Sequence, residues 1–214
     1  MESVDTPRLP GQNPIAALRR FSRPRPRREI CEICAAPLFE NHQHLLEPKS
    51  RAIVCACDAC ATLFETSHGT RYLRIPRRIE HWSDFTMSDE QWAGLGVPIA
   101  LAFFLHSTTH DQTIAVYPSP AGPTEAMLAA EAWDGIVRDN PALRALDADV
   151  EALLVNRVHG ARECYRAPID ECFKLVGVIR THWRGLSGGT EVWKRIVTFF
   201  EDLKRRSIET SAHA

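Results

Sequence analysis

Cys31-Glu-Ile-Cys34 and Cys57-Asp-Ala-Cys60 decide how this chain is to be read. Two residues between cysteines let a tight turn aim both sulfurs, and its backbone amides, at one ion. Two such knuckles supply four thiolates, the tetrahedral donor set of a structural zinc site. The 22 residues between the knuckles are enough for a hairpin that brings them together. A set of small buried thiols would not explain two matched knuckles in one segment. Cys31, Cys34, Cys57 and Cys60 are therefore the expected metal ligands. Residues 29–75 are the expected metal module, of zinc-ribbon or treble-clef-like form.

Zinc is the expected metal, because a closed four-thiolate site needs no redox chemistry to be useful. The same ligands suit a single iron in a rubredoxin-like site. An iron–sulfur cluster is a third option, since Cys55 is a spare thiol beside the second knuckle. Cys55 either replaces a knuckle cysteine or is a strand residue facing a core. In Asn41-His-Gln-His-Leu45, His42 and His44 fall on one side of an extended segment, so both imidazoles can reach one site. As zinc ligands they are surplus to four cysteines. The order knuckle, histidine, leucine, knuckle resembles zinc-stabilised HNH endonucleases, with His44 as candidate general base. Gln43 stands where those enzymes usually carry an acid, and Thr62–Glu65 with only His68 stand where they carry an Asn and a His. Without those ligands a catalytic ion is not held.

The remaining composition is that of an ordinary globular chain: 214 residues, 44% hydrophobic, 25% charged, with a formal net charge of −1. Nine Phe and five Trp argue against wholesale disorder. The longest largely apolar run, Val97–Leu105, is far short of the roughly 20 residues that span a bilayer. Arg19-Arg20-Phe21 has the look of a twin-arginine signal, but Ser22-Arg23-Pro24-Arg25-Pro26 follows it in place of an apolar region. Seven cysteines, five of them within 30 residues and no signal peptide, point to metal before disulfide and to a cytoplasmic chain. The near-zero charge conceals an arginine-rich start set against a more acidic body. Nucleic acid is not the expected partner.

Along the chain, residues 1–28 read as a disordered basic tail, with five prolines and seven arginines. Strands are expected at Arg51–Cys55 and Arg71–Ile75, with a helical turn at Ala61–Phe64. Residues 76–96 read as a connector in which Ser88 to Gln91 form a capping box. Residues 97–206 read as one α+β domain, an antiparallel sheet with helices. Ile99–Leu105 and Thr113–Tyr117 pair, and Pro118–Pro123 stops the second strand. A helix follows from Thr124 to about Arg138. Val150–Arg157 and Glu163–Arg166 read as a second hairpin turning at His159-Gly160, although Val150, Leu153 and Leu154 also have helical spacing. Pro168 opens a helix carrying Ile169, Cys172, Phe173, Val176 and Ile179. Val192, Trp193, Ile196, Phe199, Phe200 and Leu203 mark one face of a last helix. Residues 207–214 read as a disordered tail.

No nucleophile elbow, phosphate loop or paired-carboxylate motif is in a recognisable frame. Ser187 or Thr190 can cap the last helix, and Arg180, His182 and Arg184 would favour an anion at its start, though the same residues make an ordinary solvated loop. Cys164 and Cys172 read as core thiols.

Cys31–Cys34, His44-Leu-Leu46, Cys55–Cys60, Tyr117-Pro-Ser-Pro-Ala-Gly122, Glu151–Arg157 and Thr181-His-Trp-Arg-Gly-Leu-Ser-Gly-Gly189 together resemble an uncharacterised bacterial family, mainly of actinobacterial type. Its genes stand beside those of [NiFe]-hydrogenases. The resemblance covers Cys31 to Leu203 and implies a role near hydrogenase assembly or function. The resulting expectation is a non-enzymatic zinc-binding accessory protein with a hydrogenase subunit or maturation factor as partner. An iron-binding electron carrier and an HNH-like nuclease are the alternatives.

Overall fold

The structure is a computed structural model describing residues 29–65, 71–185 and 188–213. The tail expected at residues 1–28, His68 and Ser187 lie outside the described residues.

The cysteine-rich start is a knuckle, a hairpin and a helix. After Cys31–Cys34, β1 (Gln43–Glu47) pairs antiparallel with β2 (Ala52–Ala56), which leads into α1 (Asp58–Glu65). The short β3 (Leu73–Arg74) pairs with the other edge of β1. Side chains alternate across this small sheet. Leu45, Val54 and Ala56 face Cys31, Cys60 and Ala61 on one side, while Leu46 and Ile53 pack on the core of the rest of the molecule on the other.

The second sheet has seven strands. They are β4 (Glu80–Trp82), β5 (Leu101–Ser107), β6 (Gln112–Ser119), β7 (Gly122–Met127), β8 (Glu151–Asn156), β9 (Glu163–Pro168) and β10 (Ile208–Thr210). Their order is β10-β4-β9-β8-β5-β6-β7, antiparallel except where β10 runs parallel to β4. The helices that interrupt them are α2 (Asp89–Gly94), α3 (Ala130–Asp139), α4 (Ile169–His182) and α5 (Gly189–Arg206). One face packs Leu101, Phe103, Leu154 and Tyr165 on α4 and α5. The other packs Phe104, Leu153 and Val155 under Trp92, Trp133 and Ile136 of α2 and α3. Cover on both faces is why β5 and β8 are apolar almost without interruption. Ser88 and Gln91 form the expected capping box of α2.

Four boundaries differ from the sequence reading. Residues 76–96 are not a connector, because β4 within them joins the main sheet and buries Trp82. Residues 207–214 are not a tail through His213. β10 completes the sheet edge, Ala212 is fully buried, and the Asp84 carboxylate accepts from Ser211 Oγ at 2.6 Å and from the Ala212 amide at 2.8 Å. Prolines at 118 and 123 do not end the hairpin. They oppose each other in the β6–β7 ladder, beyond the last β5 pairing at Val116, so no neighbour asks Pro118 for an amide proton. Thr124 accordingly lies in β7, and the following helix begins only at Ala130.

Gly188 caps α5 at φ +85°, where an added Cβ would lie 2.9 Å from Val192 Cγ1 and 3.2 Å from the Trp183 ring. Left-handed backbone and overpacking each cost a side chain roughly 1–2 kcal/mol. Gly188→Ala should therefore lower stability by roughly 2–4 kcal/mol in urea unfolding monitored by tryptophan fluorescence.

Candidate metal centre

The first knuckle folds by closing on itself. Cys31 donates its amide to Ala36 O and Ala35 donates to Cys31 O, both at 2.8 Å, with Ala35 held at φ +61°. The second pair rides on α1, whose first residue is Asp58. Gln43 donates to Asp58 Oδ1 at 3.1 Å and ties that helix to the hairpin. Cys31, Cys34, Cys57 and Cys60 converge, with their sulfurs all within 4.8 Å of one another. Cys34 and Cys57 Sγ are 3.7 Å apart. That is far beyond the ~2.05 Å of a disulfide. It is close to the edge of about 3.8 Å that a tetrahedron with ~2.3 Å zinc–sulfur bonds requires. The four sulfurs can hold a metal ion.

Cys31, Cys34 and Cys60 are shifted in different directions. Burial pushes Cys31 up, but hydrogen bonds from the Cys34, Cys57 and Ile33 backbone outweigh it and bring the thiol down to about 6. Burial, with the neighbouring sulfurs, pushes Cys60 up to about 12. The Ala36 backbone hydrogen bond pulls Cys34 down, but the Cys31 and Cys57 side chains outweigh it and raise the thiol. A divalent ion bound by the four sulfurs displaces their protons.

Residues 30–207 match a family described as a family of unknown function, DUF5947. The chain belongs to that family. Comparison with curated proteins and with solved structures found no match. The DUF5947 match runs through the cysteine module and the seven-stranded sheet alike.

Of the other residues singled out in sequence, Cys164 and Cys172 are buried core thiols, both raised by burial. Cys55 does not join the four-sulfur cluster. It stands opposite His44 in the β1–β2 ladder and groups with His42 and His44, one ligand atom of each lying within 4.8 Å of the others. At the start of α5, groups expected to favour an anion are committed elsewhere. Arg184 donates to the Thr181 and Trp183 carbonyls, and His182 Nδ1 donates to Val178 O.

Two features were missed in sequence. Glu151 is fully buried and pairs with Arg166, accepts from Arg78 at 3.1 Å and accepts from the Asp147 amide at 2.9 Å. Glu80 joins this network from β4 and receives Thr210 of β10 at 3.1 Å. The second is an apolar cleft of about 360 Å³ lined by Tyr117, Pro118, Val158, Trp183, Trp193 and Ile196. Tyr117-Pro118 and Trp183, more than 60 residues apart, meet there. No helix among the described residues is long and apolar enough to cross a membrane.

Proposed function

We propose that this chain is a non-enzymatic, zinc-binding accessory or assembly protein of a [NiFe]-hydrogenase system, acting in the cytoplasm. The four-cysteine cluster carries the reading. Its sulfurs close around one point, which suits an ion used for structure or docking better than one used for chemistry. The order of knuckle, hairpin and helix supports a treble-clef-like module over a ribbon. The partner is a hydrogenase subunit or maturation factor, and the aromatic cleft at Trp183 and Trp193 is its docking place. Large aromatic side chains in a concave apolar site are what such anchoring uses.

Native co-purification with the hydrogenase subunits and maturation factors tests the partner. Association that survives in the wild type and falls at least tenfold in Trp193→Ala supports it, and no association under native expression overturns it. Elemental analysis of protein purified without oxygen tests the metal. One zinc at the four-cysteine cluster is expected. Iron there, with visible absorbance, would favour the electron-carrier reading, since the four thiolates serve either metal.

A further inference from the structure

From the geometry we infer that His42, His44 and Cys55 form a second metal site, separate from the four-sulfur cluster and open to solvent at one coordination position. The three ligand atoms lie within 4.8 Å of one another, and the imidazole rings meet edge to face with centroids 4.9 Å apart. Strand register brings Cys55 there, because it is paired directly with His44 on β1. Both lie on the face of the small sheet that carries Leu46 and Ile53, opposite to Leu45, Val54 and Ala56 beneath the four sulfurs.

Each histidine has its Nδ1 held by a hydrogen bond. His42 Nδ1 donates to Phe39 O at 3.0 Å. A carbonyl only accepts, so Nδ1 carries the proton and the lone pair resides on Nε2. His42 has a side chain only 8% exposed, yet its Nε2 is buried with no hydrogen-bond partner. A buried polar atom left unpaired destabilises the fold, and a metal ion removes that cost. His44 Nδ1 donates to Asp170 Oδ2 at 2.6 Å, from the first turn of α4. A carboxylate behind an imidazole fixes the tautomer and raises its basicity, an arrangement found behind metal-bound histidines. Asp170 is thus a positioning residue for His44.

Two imidazoles and a thiolate suit a late first-row divalent ion such as zinc or cobalt. Three protein ligands leave a fourth position, as in sites that exchange water for another ligand. His42 and His44 line a cleft of about 580 Å³ whose walls carry Glu29, Glu40, Asp170 and Glu171 beside Arg77, Lys174 and Arg206, and the cleft gives solvent access to the site. The inference does not depend on a hydrogenase partner.

The test uses the full chain with one equivalent of zinc bound, titrated with cobalt while zinc release is followed with a chromogenic chelator. One further cobalt per chain is expected, with d–d bands and a thiolate charge-transfer band and no zinc released. Cys55→Ser should remove the charge-transfer band and weaken cobalt binding at least 100-fold, as should His42→Ala. Asp170→Asn should weaken it roughly 10–100-fold while leaving the spectrum unchanged. Cys55 is only partly buried, so Cys55→Ser keeps the test decisive if His42→Ala misfolds. Cobalt that binds only by displacing zinc, or that binds equally well to Cys55→Ser and Asp170→Asn, overturns the inference.

Discussion

Cys34→Ser, or Cys57→Ser, should abolish tight metal binding and melt residues 29–75 while the seven-stranded sheet stays folded. A structural zinc site contributes on the order of 10 kcal/mol of apparent binding free energy, which is folding free energy for the segment it closes. Beneath the cluster there is little else to hold the module, since its buried core is Cys31, Leu45, Ala56, Cys60 and Ala61. The main sheet keeps its own two cores on either face. Leu46 and Ile75 belong to the larger core, so their loss loosens its rim without emptying it. Hydrogen exchange read segment by segment is the measurement. Fast exchange confined to β1–β3 and α1 is expected. Unchanged metal content in both variants would refute the ligand assignment. Metal affinity should also weaken as pH falls, because protons return to Cys34 and Cys60, which are raised, before they return to Cys31 at about 6.

Glu151→Ala should cost roughly 3–5 kcal/mol, the range for breaking a buried ion pair from one side. Arg166, with a side chain 8% exposed, would be left charged with only the more distant Glu80 carboxylate at 4.0 Å. Arg166 also donates to Ala145 O at 2.7 Å, and Glu80 holds Thr210, so the loss should spread to β4 and β10. Replacing both partners, in Glu151→Leu with Arg166→Met, should recover much of the loss, since it leaves no buried charge unpaired. The pH dependence has a definite sign. Burial alone would raise Glu151, but Arg166, the Asp147 amide and Arg78 outweigh it and hold its folded pKa below the usual value. A depressed carboxylate stabilises the fold above its unfolded pKa of roughly 4.3, and that stability is lost as pH falls through the folded value. Wild type should thus lose stability on acidification below about pH 5, and Glu151→Gln should lose less. Urea midpoints measured across that range give the comparison.

The elements legible in sequence are those whose signal is local. The capping box at Ser88 and Gln91 needs four residues, and α5 shows its buried face through Val192, Ile196, Phe199, Phe200 and Leu203. The β8–β9 hairpin was legible from its turn at His159-Gly160. β4, β7 and β10 were not. β4 and β10 are three residues each, and β7 reads Gly-Pro-Thr-Glu-Ala-Met, so none has an apolar pattern of its own. They are strands because a neighbour supplies their hydrogen bonds.

By itself, the sequence determined that this is a chain with a four-cysteine module able to hold a metal ion joined to an α+β body, because cysteine spacing and helical periodicity are encoded within a few residues. Tertiary structure alone decided that residues 80–82 and 208–210 complete one sheet and that Glu151 is neutralised by Arg166 and Arg78. It also decided which histidines meet which cysteine. The histidine pair was visible as alternate residues of one extended segment. Cys55 joins it only through the register of a second strand, and Asp170 only through a helix 126 positions from His44. Register and docking are settled by what is buried between elements, and no local run of residues carries that information.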